Sequence, residues 1–263
     1  MMIKYLCVGY DKKKEFDKLK KPFNLKKEVS IILPTYNEEK NIEKLVNELR
    51  KEFHGIDYEI VILDDNSKDK TPAIIDKLAK KGDVLAIHRY GKKGYFSAYQ
   101  DAIYMANGRY VITMDSDLSH PPSIAKEFLK YKNDYDIVSG SRYMEGAGMD
   151  APFSRKYGSM FLNKICAWIL GLKLTDIAGD FHLMKKDKFM KLGFKYGPVF
   201  GEFDFELLYR ATQKGFKIKE IPFIYKFREE GESAMGMGVN DALSLAKFAW
   251  AYLKMALRLR FRG

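Results

Sequence analysis

Two acidic side chains with metal-binding spacing follow a hydrophobic run near the middle of the chain. The run ends at Met114, and Asp115 and Asp117 come next in the segment DSDLSHPP. Because alternate residues of an extended segment point the same way, the two carboxylates share a face. Oxygen ligands of this kind select Mg²⁺ or Mn²⁺, which keep positions open for substrate phosphates. The alternative is that Asp115 and Ser119 only cap a helix that begins after Pro121.

Two more polar loops follow apolar runs earlier in the chain. PTYNEE (34–39) follows the run VSIIL, and DDNS (64–67) follows the run EIVIL. Apolar residues then recur at helical spacing after each loop. Strands that alternate with helices predict an α/β fold with a mostly parallel sheet and helices on both faces. Ligands bind at the carboxyl ends of such strands, so the loops after Leu33, Leu63 and Met114 should converge on one site.

The second half of the chain has less regular patterns, and we expect it to share the same sheet. It contains apolar patterns that predict a strand at 136–140, helices at 153–170 and 203–213, a strand at 216–225 and a final helix from about 240. No Pro/Gly/Ser-rich linker separates the halves. We therefore expect a basic extension (1–28), one domain (29–238, with halves 29–119 and 120–238) and a C-terminal amphipathic helix (239–263).

Composition excludes several classes of protein. The 263 residues are 46% hydrophobic and 31% charged, which is typical of a globular protein and not of a disordered chain. Cys7 and Cys166 have no CxxC spacing, so we expect neither a disulfide framework nor a zinc site. No run approaches the ~18 apolar residues of a membrane span, and the apolar core within the first 16 residues is too short for a signal peptide. We expect a protein that is neither exported nor membrane-spanning.

The net charge and the final helix both favour an anionic partner. Lys and Arg outnumber Asp and Glu by 46 to 35, for a formal charge of +11. This favours nucleic acid, an anionic membrane face or phosphorylated small molecules. One stripe of the final helix is polar and the rest is mostly apolar, which is typical of a helix that lies in a membrane interface. The polar stripe comprises Asn240, Ser244, Lys247, Lys254 and Arg258. The alternative is that this helix packs on its own domain or on a partner's membrane helix.

Six segments occur in an order and at a spacing that are typical of one enzyme group. They are VSIILPTYNEEKNIEKL, YEIVILDDNSKDKT, GRYVITMDSDLSHPP, DIVSGSRY, SRKYGS and FREEGES. Together they resemble the dolichyl-phosphate mannose synthases among the inverting family-2 glycosyltransferases, which have the Rossmann-like GT-A fold. The resemblance extends from Val29 to Ser233. It implies a metal-dependent transferase that uses Mg²⁺ or Mn²⁺.

The resemblance also implies roles for particular residues. Those expected to bind the nucleotide sugar are Pro34, Tyr36, Glu38, Asp65, Asp115, Ser116 and Arg142. Those expected to hold the metal are Asp115, Asp117 and Ser119. Those expected to bind the acceptor phosphate are Arg142, Arg155, Ser159 and Arg228, with Asp117, Arg155 and Arg228 as the catalytic set. Guanidinium groups suit these positions because they bind phosphate oxygens bidentately.

The sequence departs from the group's pattern in places that bear on the acceptor. GDFHLMKK (179–186) carries Asp180 and His182, and GEFDFELLYR (201–210) adds Glu202 and Asp204. A phosphate acceptor attacks without a general base, whereas a hydroxyl acceptor needs one, for which Glu202 or Asp204 are candidates. We interpret His182 as a structural, hydrogen-bonded side chain.

Two functional hypotheses remain, and they differ in the acceptor. The first is transfer of a hexose, with mannose from GDP-mannose as the expected case, to a polyprenyl phosphate such as dolichyl phosphate. It places the protein peripherally at the cytoplasmic face of a membrane, where it could bind a membrane-embedded protein. The second is a soluble transferase that uses a sugar hydroxyl acceptor, with UDP-glucose or another donor. A nucleic-acid binder is disfavoured because basic and aromatic residues do not interleave.

Overall fold

The strands and helices of the computed structural model follow the hydrophobic pattern of the sequence. The structure describes residues 2–7, 26–91, 94–194, 203–226 and 242–262. Its strands are β1 (Met2–Cys7), β2 (Lys27–Thr35), β3 (Tyr58–Asp64), β4 (Val84–Gly91), β5 (Gly108–Thr113), β6 (Ile137–Ser141), β7 (Gly148–Met149), β8 (His182–Lys185), β9 (Ile218–Pro222) and β10 (Ile224–Tyr225). Its helices are α1 (Ile42–Glu52), α2 (Thr71–Ala79), α3 (Tyr95–Met105), α4 (Pro122–Phe128), α5 (Phe153–Leu170), α6 (Lys186–Met190), α7 (Phe203–Gln213) and α8 (Ala242–Arg262).

One sheet carries strands from both halves of the chain. The strand order is β1-β4-β3-β2-β5-β8-β6-β9, and β7 pairs with β10 in a separate small sheet. Every pairing in the large sheet is parallel except the two that β8 makes with β5 and β6. The expected α/β fold with a mostly parallel sheet is therefore confirmed, and the two halves share that sheet.

Alternate residues of the central strands enter two cores, one on each face. Ile31 and Ile60 pack with α1, α2 and α4, whereas Ile32 and Val61 pack with α3, α5, α7 and α8. Because the strands are buried on both faces, they read as continuous apolar runs, which is typical of parallel sheets. The two helical layers hold the sheet so that its carboxyl edge stays open for the loops after β2, β3 and β5.

The structure differs from the expected elements in the second half. The single strand expected at 216–225 is two short strands, β9 and β10, which belong to different sheets. Pro222 ends β9 because it has no N–H with which to continue the ladder. The antiparallel strand β8 was not predicted at all, because four residues that include a lysine give little periodic signal.

The expected basic extension (1–28) contains a strand that the sequence pattern did not predict. Met2–Cys7 forms β1, an edge strand parallel to β4, and β2 begins at Lys27 instead of Val29. Six residues suffice for a strand, and Ile and Tyr favour that conformation. Residues 8–25, which include most of the expected lysine-rich tether, lie outside the described residues.

Helix α8 packs on its own domain along one face, which is one of the arrangements that the sequence left open. Met255 and Ala256 are buried in the core between α5 and α7, and Tyr252 packs edge-on against Phe205 with 5.0 Å between ring centroids. Trp250 and Phe261 are exposed. The helix therefore packs on its own domain along one face and presents aromatic side chains on another. In the described part of the chain, none of the helices has the length and apolarity required to span a membrane.

Candidate active site

The polar loops after β2, β3 and β5 are joined to one another by hydrogen bonds. The Ser116 hydroxyl donates to the Pro34 carbonyl at 3.0 Å. The Asn37 N–H donates to Ser67 Oγ at 2.9 Å, and the Lys68 N–H donates to Asn37 Oδ1 at 2.8 Å. These loops therefore converge at one edge of the sheet, as expected from the sequence.

Glu38 anchors the β2 loop. It is 4% exposed, its N–H donates to Thr71 Oγ1 at 2.8 Å, and its Oε2 accepts from Asn41 Nδ2 at 2.7 Å. Asn37 before it has a left-handed φ of 55°, which Asn tolerates better than most residues. The loop is therefore pinned to the start of α2, and Pro34 and Tyr36, both partly exposed, lie at the sheet edge.

Asp65 is held by a fully buried arginine. Arg89 Nε donates to Asp65 Oδ1 at 2.9 Å, and its Nη2 lies 2.8 Å from Asp65 Oδ2. The same guanidinium lies 3.3 Å from Asp101 and donates to Ser97 Oγ at 2.8 Å and to the Gly94 carbonyl at 2.9 Å. Arg89 thereby fixes the carboxylate that was expected to bind the nucleotide, and sequence spacing gave no sign of this role.

Asp115 and Asp117 lie on a tight turn directly after β5. Leu118 has a left-handed φ of 68°, and Asp117 Oδ1 accepts the Ser119 N–H at 3.0 Å. The Asp115 side chain is 27% exposed, whereas Asp117 is 7% exposed as a residue. Ser119 is fully buried, and its role as a metal ligand stays a prediction.

His120 locks the backbone of this turn, a role that the sequence analysis did not assign. The Asp115 N–H donates to His120 Nδ1 at 3.0 Å, and the imidazole stacks on Phe181 with 4.5 Å between centroids. Burial lowers the pKa of His120 to about 3, so the ring is neutral and Nδ1 can accept. The first carboxylate of the pair is therefore presented from a rigid turn.

The two carboxylates are suited to a cation whose remaining coordination positions are filled by substrate. No group of three or more His, Cys, Asp or Glu side chains that could hold a metal ion occurs within the described ranges. Two neighbouring carboxylates are nevertheless enough for Mg²⁺ or Mn²⁺ when phosphate oxygens and water supply the other ligands. Asp115 and Asp117 would hold such an ion, which fits their chemistry and their place at the sheet edge.

A second acidic cluster lies beside the first. The Tyr95 hydroxyl is 2.9 Å from Asp115 Oδ1 and 2.5 Å from Asp180 Oδ2. Asp204 accepts the Asp180 N–H at 2.6 Å through Oδ2, and its Oδ1 is 2.9 Å from His182 Nε2. Burial raises the pKa of Asp204 to about 6 and lowers that of His182 to about 4. His182 thus occupies the structural position expected for it.

Arg142 is held by an ion pair. Its Nε and Nη2 donate to both carboxylate oxygens of Asp176, at 2.7 and 2.9 Å, and Nη2 also donates to the Ala178 carbonyl at 2.7 Å. Burial lowers the pKa of Arg142, but Asp176 more than offsets this and raises it well above its ordinary value. The guanidinium also lies over the rings of Tyr143 and Tyr225. Its expected contact with phosphate stays a prediction.

The remaining expected phosphate ligands lie near the start of α5 or outside the described residues. Arg155 is exposed in the first turn of α5. The Ser159 hydroxyl donates to the Lys156 carbonyl at 3.1 Å and lies 2.9 Å from the Tyr143 hydroxyl. Arg228 and Glu202 are not among the described residues.

Comparisons with known sequences agree with this geometry. The family model Glycosyl transferase family 2 matches residues 30–193. A dolichol-phosphate mannosyltransferase of Pyrococcus furiosus is 33% identical over 212 residues, which cover 79% of this chain and 59% of that protein. The chain thus matches less than two thirds of that relative's length. A dolichol-phosphate mannosyltransferase of Saccharomyces cerevisiae is 31% identical over 227 residues, covering 79% of this chain and 81% of that protein.

Solved structures share the fold at low sequence identity. A glucosyl-3-phosphoglycerate synthase from Mycobacterium tuberculosis, in complex with Mn²⁺, uridine diphosphate and glucosyl-3-phosphoglycerate, aligns with a TM-score of 0.63 at 14% identity. The alignment covers 98% of this chain and 88% of that chain. The same enzyme in complex with Mg²⁺ and uridine diphosphate aligns with a TM-score of 0.60 at 17% identity, covering 97% and 86%.

Replacing Arg89 by methionine should destabilise the protein strongly. Arg89→Met leaves Asp65 and Asp101 with buried negative charge, which costs about 3–5 kcal/mol in the free energy of unfolding. Urea unfolding followed by circular dichroism measures the loss. The control is Arg50→Met, which breaks the partly exposed pair with Asp83 and should cost about 1 kcal/mol or less. Equal losses in the two variants would contradict the role given to Arg89.

Proposed function

Because this chain belongs to glycosyl transferase family 2 and is therefore a glycosyltransferase, we propose that it transfers mannose from GDP-mannose to a polyprenyl phosphate such as dolichyl phosphate. The observation that carries the proposal is the sequence identity of 29–33% with relatives named for mannose transfer to dolichol phosphate or polyprenol. The joined loops after β2, β3 and β5 support it, because they bring the residues proposed to bind the nucleotide and the metal to one edge of the sheet.

The donor side of the reaction is assigned to the loops that the sheet brings together. Pro34, Tyr36 and Asp65 would line the pocket for the base and ribose, and Ser116 ties that pocket to the metal-binding turn. Asp115 and Asp117 would hold Mg²⁺ or Mn²⁺. When bound, the ion offsets charge on the donor diphosphate and so improves it as a leaving group.

The acceptor side requires cations more than it requires a base. A phosphomonoester is ionised near neutral pH, so its oxygen can attack the anomeric carbon without losing a proton to the protein. The new C–O bond forms as the bond to the nucleoside diphosphate breaks, the diphosphate leaves with the electron pair, and the anomeric configuration inverts. Arg155 is placed to bind the attacking phosphate, since guanidinium groups pair with phosphate oxygens.

The environment of Asp204 disfavours a hydroxyl acceptor. The base for such an acceptor would have to reach the substrate, but Asp204 is 4% exposed. Its two carboxylate oxygens are engaged by the Asp180 N–H and by His182. These contacts hold the Asp204 side chain in a buried position beneath the site.

The acceptor's membrane environment is supported by the exposed faces of α5 and α8. These two helices pack on each other, and both carry only basic charged residues. Their large exposed apolar side chains are Phe153, Tyr157, Phe161 and Trp168 on α5 and Trp250, Leu257 and Phe261 on α8. We name this set the aromatic face. Aromatic side chains flanked by Lys and Arg suit the interface of an anionic bilayer. We infer that the protein binds peripherally at the cytoplasmic membrane face.

Removing either carboxylate charge of the metal pair should abolish transfer. Asp115→Asn and Asp117→Asn keep the side-chain volume but remove a charged ligand, so we expect mannosyl transfer to fall by about 100-fold or more. Radiolabelled donor, Mn²⁺ and dolichyl phosphate, with extraction of the lipid product, provide the assay. Melting temperatures confirm folding. Near-normal turnover of either variant at saturating donor would refute the metal assignment.

Loss of Arg155 should harm transfer more than loss of the Asp204 charge. Arg155→Ala removes a cation from the acceptor phosphate, and we expect a decrease of about 10- to 100-fold in kcat/KM for the lipid. Asp204→Asn should cost less, because no base is required. Lys51→Ala, which removes an exposed cation from α1, away from the aromatic face, is the control and should resemble wild type. A larger loss for Asp204→Asn than for Arg155→Ala, with the Mn²⁺ affinity unchanged, would favour the hydroxyl acceptor.

Charges placed in the aromatic face should weaken membrane binding. In the double variant Phe161→Asp, Trp250→Asp, two exposed side chains lose about 1.5–3 kcal/mol each of apolar burial, so partitioning onto anionic liposomes should fall by at least about tenfold. Sedimentation with phosphatidylglycerol liposomes measures it. These substitutions are preferable to deletion of residues 240–263, because Met255 and Ala256 of α8 belong to the core.

The control for that experiment changes an exposed apolar residue outside α5 and α8. Met190 on α6 is 46% exposed, so Met190→Asp introduces the same charge away from the aromatic face and should leave sedimentation unchanged. Unchanged sedimentation of the folded double variant would exclude the aromatic face as the principal membrane contact.

A further inference from the structure

The antiparallel strand β8 brings a second carboxylate opposite the metal-binding pair. The register of β5 and β8 pairs Tyr110 with Lys185 and ends at Thr113 with His182. Asp115 follows this last pair by two residues on one side and Asp180 precedes it by two on the other, and each carboxylate lies within hydrogen-bond distance of the same hydroxyl. Two carboxylates that share a site repel each other. Something between the two carboxylates must therefore offset their repulsion.

The hydroxyl of Tyr95 occupies that position. Tyr95 is the first residue of α3, and its oxygen lies 2.9 Å from Asp115 Oδ1 and 2.5 Å from Asp180 Oδ2. A phenol has one hydrogen to donate, so it cannot donate to both carboxylates at once. Two short contacts are satisfied together when Asp180 is protonated and donates to the Tyr95 oxygen, while Tyr95 donates to Asp115.

The surroundings of Asp180 favour its protonated form. Burial, the main cause, and the nearby Asp204 raise the pKa of Asp180 well above its ordinary value. Its backbone has a left-handed φ of 39°, and its N–H donates to Asp204, which in turn contacts His182 on β8. Asp180 is thus held in place from behind.

We propose that Tyr95 is a positioning residue whose hydroxyl, supported by Asp180, fixes the carboxylate of Asp115 for the divalent ion of the donor. The proposal rests on the metal-dependent transfer proposed above. Partners that hold a metal ligand from behind set its orientation, and their loss costs about 10–100-fold in metal affinity. Because the Tyr95 hydroxyl is uncharged, it orients Asp115 without adding a second negative charge beside the diphosphate.

Metal affinity tests the proposal apart from catalysis. The full chain is titrated with MnCl₂ in the presence of GDP, and free Mn²⁺ is measured by electron paramagnetic resonance. Tyr95→Phe should raise the dissociation constant for Mn²⁺ by about 10-fold or more. Its transfer rate should recover as Mn²⁺ is increased, because Asp115 is retained.

The matched control is Tyr99→Phe. Tyr99 lies one turn along α3, its ring stacks on Phe203 with 5.0 Å between centroids, and its hydroxyl is 3.4 Å from that of Tyr95. Phenylalanine keeps the stacking, so the Mn²⁺ affinity of Tyr99→Phe should equal that of wild type. Melting temperatures of all variants show whether a loss reflects unfolding.

Two variants of Asp180 separate hydrogen-bond support from charge. Asp180→Gly suits the left-handed backbone and removes the donor, so it should weaken Mn²⁺ binding as Tyr95→Phe does. Asp180→Asn keeps an uncharged donor for the Tyr95 oxygen and should stay within about threefold of wild type, well inside the loss expected for a missing partner.

The outcomes distinguish this inference from the proposed function. If wild type binds Mn²⁺ and Tyr95→Phe and Asp180→Gly bind it equally well, the positioning role is refuted while the metal site stands. If wild type binds no Mn²⁺ with GDP, both the metal assignment and this inference are refuted. If wild type binds Mn²⁺ in the expected Tyr95-dependent way but makes no mannosyl lipid, the acceptor or donor assignment fails and the positioning role stands.

Discussion

Electrostatic repulsion among carboxylates is the constraint around which the site is built. A parallel sheet brings the carboxyl ends of its strands together, and in this chain Asp residues follow the ends of β3 and β5. Each negative charge removed from water must meet a compensating group. Asp65 meets the buried guanidinium of Arg89, and Asp176 meets that of Arg142. No role was predicted for Arg89, and Arg142 was predicted to bind phosphate; in the structure, the guanidinium group of each pairs with a buried carboxylate.

The carboxylates nearest the proposed chemistry are compensated in another way. Asp115 and Asp180 both contact the hydroxyl of Tyr95, which is uncharged and would not compete with a metal ion for Asp115 as an arginine would. This hydroxyl orients Asp115 and leaves its negative charge available for a divalent ion. Asp117 is oriented separately, by the N–H of Ser119 within the same turn. The two carboxylates proposed to bind the metal are therefore positioned by hydrogen bonds, which leaves their charge for the donor complex.

The sequence predicted what depends on local pattern and missed what depends on pairing across the sheet. Buried parallel strands read as apolar runs, so β2, β3 and β5 and the loops after them could be located. Strand β8 could not, because its place between β5 and β6 is decided by tertiary packing. Because β8 was not predicted, the sequence did not indicate that Asp115 and Asp180 lie near each other or that Tyr95 contacts both. Arg89 escaped for a similar reason, since its partners lie on another strand and on α3.

In the proposed mechanism, helix α5 both contacts the membrane and carries Arg155, which would bind the acceptor phosphate. Phe153 and Tyr157 are exposed on its first turns, with 4.2 Å between their ring centroids, and Arg155 lies between them in sequence. If those rings lie in the bilayer interface, a cation on the same turn is held at the depth of lipid headgroups, where a polyprenyl phosphate carries its charge. The same helix is buried in the core through Cys166 and Leu170 and contacts α8. A lipid-facing surface and a rigid link to the catalytic domain are therefore properties of one element, so the acceptor phosphate need not leave the interface to meet Arg155.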